Sequence, residues 1–249
     1  MSQEYAWPAM RRSREVPART EPPAEAATGA GGARALSHLP QAFDLCVFGA
    51  LALTVFPQVL LSALEPGVGV AGAIAVWALA YLVAWPVRAV VVRLEGRWDP
   101  RVRLALARVL FAGSTLAVAA LPDASHTAWA PLLLIFARIA QGLAIGGLAH
   151  DRLLVDGTPA EARRHRLQSW ILAGAVGFTA GAVILGVLAV MLQRADLLAW
   201  GWRYPFVMAL ALNMVAGFAD LRLEWARRHR SAERRASLRL VAISGVRLD

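Results

Sequence analysis

The chain contains no lysine: all 26 of its basic side chains are arginine. It has a single cysteine, Cys46, so one chain on its own can form neither a disulfide nor a cysteine metal cluster, and the plain reading of Cys46 is a small buried hydrophobe. Charged residues make up 17% of the sequence, well under the roughly 25% of a soluble domain. The first forty residues lack the apolar core of a cleavable leader. No histidine and acid cluster has metal spacing, no glycine loop precedes a helix in the manner of a phosphate site, and no nucleophile has an evident base. Enzymatic chemistry, a metal centre and a bound cofactor are therefore not expected. The strict alternation of a membrane β-barrel is also missing.

What the chain does have is apolar length. Hydrophobic residues reach 58% and mean hydropathy is +0.51. Six runs approach the roughly 20 apolar residues needed to cross a bilayer: Phe43–Leu64, Val68–Val92, Leu104–Leu121, Trp129–Leu148, Gln168–Met191 and Trp202–Leu221. Lipid offers no water to satisfy backbone groups, so such runs must be helices. The expected fold class is all-α, a polytopic membrane protein with six transmembrane helices. Residues 1–40 read as a disordered tail, residues 41–222 as the six-helix bundle and residues 223–249 as a basic tail. Short turns join neighbouring helices on one side, at Glu65-Pro66-Gly67, at Asp123 to Thr127 and at Arg194 to Gly201, which makes neighbours antiparallel.

The net charge of +9 and pI near 11.3 are arranged by topology and not as a nucleic-acid face. Arginines crowd the N-terminal tail (Arg11, Arg12, Arg14, Arg19, Arg34), the connection after the second run (Arg93, Arg97, Arg101, Arg103), the one after the fourth (Arg152, Arg163, Arg164, Arg166) and the stretch from Arg222 to Arg247. The opposite connections hold only Arg194 and Arg203. Arginine-rich short loops stay inside, so both termini are expected in the cytoplasm, with the excess charge attracted to anionic lipid. A lysine-free, alanine- and arginine-rich composition suggests a GC-rich bacterial genome, and hence a bacterial cytoplasmic (inner) membrane. The expected partners are the bilayer, a second copy or other membrane subunits, and a small organic solute; nucleic acid is not among them.

Ionisable groups inside the runs are costly and mark candidate sites. Arg138 lies nine residues past Trp129, about 14 Å deep, with Gln141 on the same face. It serves either a polar cavity or a structural ion pair. Asp44 is either a helix N-terminal acid or a proton-carrying or arginine-pairing group. Arg88 is expected to snorkel to the surface, and His150-Asp151 to end the fourth helix in a charged loop, with a pH-responsive pair as the alternative. Gly142 and Gly146, with Gly174, Gly177 and Gly181, give small faces suited to close helix packing. Trp129, Trp200 and Trp202 are expected to anchor one interface and Trp170 the other.

Several ordered motifs carry a resemblance. Phe43-Asp44-Leu45-Cys46-Val47-Phe48-Gly49, Pro86, Trp129-Ala130-Pro131, Arg138-Ile139-Ala140-Gln141-Gly142 with Gly146-Gly147, and Trp200-Gly201-Trp202-Arg203-Tyr204-Pro205-Phe206 follow one another as in a known family. Over about Gln41 to Glu224 the chain resembles the first six-helix half of the metabolite:proton symporter branch of the major facilitator superfamily. The resemblance implies that Asp44, Arg138 and Gln141 face a central cavity where solute and proton meet. It departs from the family between the second and third runs, where Arg93, Arg97, Pro100 and Arg101 stand in place of a glycine, an acid and a Gly-Arg-Arg run, so that two glycines and the acid are missing. Leu148 and Gln41 replace two further acids. The implied function is a half-size proton-coupled carrier of small organic solutes, acting as a homodimer or with a second half. The alternative is a non-transporting subunit derived from such a half.

Overall fold

The computed structural model of the 249-residue chain describes residues 24–94, 97–122, 129–148 and 160–244. The described residues form eight α-helices: α1 (Ala24–Thr54), α2 (Phe56–Val59), α3 (Pro66–Arg93), α4 (Pro100–Ala119), α5 (Ala130–Gly147), α6 (Ala160–Met191), α7 (Arg194–Ala199) and α8 (Tyr204–Ser244), with a 3-10 turn at Gly201–Arg203. Six of them are long and apolar enough to span a bilayer, over Leu36–Thr54, Pro66–Arg93, Arg101–Ala119, Ala130–Gly147, Trp170–Met191 and Gly201–Arg222. The all-α, six-span expectation holds. Proline opens α2, α3, α4 and α5, where its missing N–H costs nothing.

The first span differs from the sequence reading at both ends. Pro57 cannot donate to the ladder, so α1 stops at Thr54 and the chain turns through α2 instead of running on to Leu64. At the other end α1 begins at Ala24, so residues 24–40, which composition assigns to a disordered tail, are helical. This stretch is rich in alanine, a strong helix former, and Ser37 is tied down by contacts given below. The helix continues through Pro40. The proline disturbs the ladder behind it, and the Ser37 carbonyl accepts a hydrogen bond from another helix. The basic stretch after residue 222 is likewise a continuation of α8, to Ser244. The turn read at Arg194 to Gly201 contains α7. The Asp123–Thr127 turn and His150-Asp151 lie outside the described residues.

Packing has an internal symmetry. α1 packs most extensively on α6, and α5 on α3; α1 also packs on α8, α5 on α4, and α4 on α8. Exchanging the first three spans for the last three reproduces every one of these pairs. The glycines explain the two closest. A Cβ on Gly142 or Gly146 would lie 2.5 Å from the Ala80 carbonyl or 2.6 Å from Val87, both on α3. A Cβ on Gly177 or Gly181 would lie 2.6 Å from the Leu39 carbonyl or 3.1 Å from Cys46, both on α1. Bare helix faces thus let α5 and α6 approach their partners where a side chain would hold them off. Gly174, grouped with them by spacing, faces open space.

As a consequence α1 and α5 are the inner helices, with 50% of their spanning residues buried, against 17% for α3 and α6. One end of the bundle is closed by an aromatic cluster. The Phe56 ring meets Phe48, Trp202 and Phe206 at centroid distances of 4.8, 5.7 and 6.4 Å. Trp202 is fully buried there, which corrects its assignment to the interface. Trp129, Trp170 and Trp200 are exposed, as interface anchors would be. Arg88 is exposed too.

Candidate functional site

Asp44, Arg138 and Gln141 come together between α1 and α5, and none is more than 1% exposed. Asp44 lies eight residues past Leu36, about 12 Å into the first span, so it is not a helix-start acid. Arg138 Nη1 donates to Asp44 Oδ2 at 3.0 Å and to Gln141 Oε1. Gln141 Nε2 donates to Asp44 Oδ1 at 2.8 Å, closing a ring of three side chains. From α3, the Trp77 carbonyl accepts from Arg138 Nη2 at 2.9 Å. Four residues past Asp44 on the same helix face, the Phe48 ring lies 3.8 Å beneath the guanidinium carbon, a cation–π contact. Gly49 makes room for the α3 side of the site, since a Cβ there would stand 3.2 Å from the Trp77 indole nitrogen. That nitrogen donates to the Leu45 carbonyl at 3.3 Å.

Of the two open alternatives for Asp44, the structure shows the arginine pairing. A buried ion pair is worth keeping only when its remaining donors and acceptors are met, and here the balance is nearly complete. It is not fully complete: Arg138 Nε is buried without a hydrogen-bond partner. So is the hydroxyl of Tyr81, whose ring centroid lies 5.9 Å from the same guanidinium. The site therefore holds a neutralised charge pair with one spare guanidinium donor and one spare hydroxyl in its wall.

A second buried arginine was not singled out from the sequence. Arg108 of α4 donates from Nε and Nη2 to Asp220 Oδ2 at 2.9 and 2.7 Å, and from Nη1 to Asn213 Oδ1 at 3.0 Å, both on α8. Its Nη2 also reaches the Ser37 carbonyl at 2.8 Å and Ser37 Oγ at 2.9 Å on α1. Asn213 returns a bond from Nδ2 to the Arg108 carbonyl at 3.1 Å. All three nitrogens of this guanidinium are satisfied. A charge a full turn inside a span, and an amide and an acid seven residues apart on one helix face, were signals present in the sequence.

The Trp200–Phe206 segment sits at the other end of the bundle. Arg203 lies 4.4 Å over the Trp202 ring and donates to the carbonyls of Leu121 at 2.8 Å and Ala199 at 2.7 Å. Pro205 and Phe206 are buried, and Gly201 admits Leu192, which a Cβ would meet at 2.6 Å. This motif closes the bundle and reaches the Asp44 site only through Phe206, whose ring meets the Phe48 ring at a centroid distance of 6.1 Å. Leu148, where the resemblance expects an acid, is packed in an apolar cluster with Leu104 and Ala107. Beyond Arg97, where another acid is missing, Asp99 caps α4 through the Arg101 N–H at 2.9 Å. Asp99 also accepts from Arg228 of α8 at 2.7 and 2.9 Å. These bonds, with Arg228 contributing most, hold the Asp99 carboxyl below the ordinary carboxylate range.

No protein-family model matches the sequence. Over 196 residues, 77% of the chain, it is 29% identical to the glycine betaine/proline/ectoine/pipecolic acid transporter OusA of Dickeya dadantii. Over the same length it is 27% identical to the proline/betaine transporter of Escherichia coli K12. It covers 39% of either, so the chain spans about two-fifths of the length of these curated relatives. Its fold superposes on the major facilitator proton:xylose symporter XylE with a TM-score of 0.62 and 18% identity, covering 77% of this chain and 43% of that one. The chain is a multi-pass membrane protein with the fold of one major facilitator half, and the paired helix contacts above are the nested three-plus-three repeat of that fold. The similar proteins named here are transporters, not enzymes.

Proposed function

We propose that this chain is one half of a proton-coupled carrier for small organic solutes, in which Asp44, Arg138 and Gln141 bind the solute and exchange a proton. The observation that carries this reading is the ion pair on the inner helices, kept where lipid makes charge expensive and left with an unused guanidinium nitrogen. A solute carboxylate would take Arg138 from Asp44, and a proton would neutralise the carboxylate so released. The relatives' names point to proline and betaines, small zwitterions whose carboxylate suits Arg138 and whose cationic end suits Asp44 and the Phe48 ring.

Alternating access needs two six-helix bundles rocking about a site near the membrane midplane. The described residues form one, so a second bundle, from another copy of the chain or from a separate half, is part of this proposal. The arginine-rich connections support a topology with both termini on the cytoplasmic side, in a bacterial inner membrane. A second reading, a non-transporting subunit, is favoured by one observation: Leu148 fills an acidic position of the resemblance with core packing.

Native mass measurement of the chain purified in mild detergent, followed by uptake in proteoliposomes, separates the two. The carrier reading expects a homodimer or a pair of six-helix chains, with saturable uptake of labelled proline or glycine betaine that Arg138→Ala abolishes while the protein stays inserted. Stoichiometric unrelated partners with no solute movement would favour the subunit.

A further inference from the structure

We propose that the arginine-rich end of the bundle holds a site for one anionic phospholipid, separate from the Asp44–Arg138 site and independent of whether the chain transports. Between the ends of α3, α4 and α5 lies a cavity of about 540 Å³, within the range that takes a ligand-sized group (roughly 300–1,000 Å³). Its walls are aliphatic, chiefly Val91, Leu106, Leu110 and Leu143, and its rim carries Arg97, Arg103, Arg228 and Asp99.

The rim is charged unevenly. Asp99 is already taken, since both its oxygens accept from Arg228. Arg97 and Arg103 have no ion pair among the described residues, and Arg103 Nε is buried without a hydrogen-bond partner. Among the described rim residues, three cations against one acid leave two positive charges over an apolar hollow. Leu106 and Leu143 are 55% and 43% exposed, so the aliphatic wall continues onto the flank of the bundle, where acyl chains lie. Trp98, 55% exposed on the rim, stands where indoles meet headgroups.

A cationic rim above an apolar wall open to the bilayer is complementary to an amphiphile with a net negative head. Free phosphate would leave the wall unused. A zwitterionic lipid would bring its own cation against Arg97 and Arg103. Basic pockets between helices on the cytoplasmic side select anionic headgroups by this same chemistry.

The test uses the full chain, delipidated in neutral detergent and titrated with phosphatidylglycerol or with phosphatidylcholine of identical chains, bound lipid being counted by native mass spectrometry. One phosphatidylglycerol is expected to stay on under conditions that strip phosphatidylcholine. R97Q/R103Q should weaken it about thirty-fold, from the contribution of two arginines near a headgroup. Arg222→Gln, exposed on α8 and outside the cavity wall, should leave it unchanged. Equal retention of the two lipids in the wild-type chain overturns the site even if the double variant fails to fold. Displacement by inorganic phosphate at equal concentration, or an equal loss in Arg222→Gln, overturns it as well.

Discussion

Two buried arginines hold this bundle together, and each has the same kind of company. Arg138 has an aspartate, a glutamine and a backbone carbonyl; Arg108 has an aspartate, an asparagine and a backbone carbonyl. The difference lies in what is left over. Arg108 has spent all three nitrogens and binds α1, α4 and α8 into one unit. Arg138 keeps Nε unpaired, over an aromatic ring and beside an unpaired Tyr81 hydroxyl. A saturated cluster is a staple, because any change of partner loses bonds. An unsaturated one can trade an internal partner for a ligand at little net cost. Similar residue types thus form a saturated staple in one place and, under the proposed function, an exchange site in the other.

The comparison breaks most visibly at the arginines themselves. Arg108→Ala and Arg138→Ala should each destabilise the protein by about 3–5 kcal/mol, because each strands a buried aspartate. Thermal melts in detergent read this loss, and the Arg108 variant should fall at least as far, having more bonds to lose. A sharper cut replaces both charges at once. Arg108→Met with Asp220→Leu should recover most of the lost stability and keep uptake, since an apolar pair of similar volume can match a buried ion pair. Arg138→Met with Asp44→Leu should recover stability in the same way while uptake stays at background. If the Arg108 pair also silences uptake, the division into staple and exchange site is wrong.

Much of this was legible in the sequence, for identifiable reasons. Six apolar runs dictate six helices, and a charge at mid-depth in an otherwise apolar run singles out Arg138. Asp44 was found with it, but its depth was not: apolar length gave one run from Phe43 to Leu64, whereas the helix continues back through Pro40 and stops before Pro57. Arg108 was not singled out, although it lies four residues inside the run that begins at Leu104. Asp220 was not singled out either, lying one residue from the end of the run Trp202–Leu221. Trp202 looked like a belt residue because of its place near a helix start. Only the fold shows that α2 turns Phe56 inward to meet it.

Smaller effects sharpen the packing side of the contrast. Gly177→Ala puts a Cβ 2.6 Å from the Leu39 carbonyl and should cost roughly 1–3 kcal/mol by pushing α6 off α1. Gly174→Ala, facing open space one turn away, should stabilise by about 0.5–1 kcal/mol through helix propensity alone. Paired melts of the two variants check the sign. The smallest effect belongs to the exposed Asp99–Arg228 pair. Because the folded carboxyl is held below its usual value, its contribution is present above about pH 4 and disappears as pH falls through the depressed value. Protection against hydrogen exchange in the α8 extension, corrected for the intrinsic rate at each pH, should therefore be the same at pH 6 and pH 5 and fall only on stronger acidification.

In the proposed function Asp44 gives up Arg138 to a solute and takes a proton in exchange. Weakly buffered proteoliposomes holding the full chain test it directly, with external pH and labelled proline or glycine betaine followed together after solute is added outside. Solute entry should be matched by alkalinisation of the medium, and both should vanish in Asp44→Asn while Asp220→Asn, corrected for folded protein, retains them. Solute entering with no pH change, or coupled uptake surviving in Asp44→Asn, would contradict the claim.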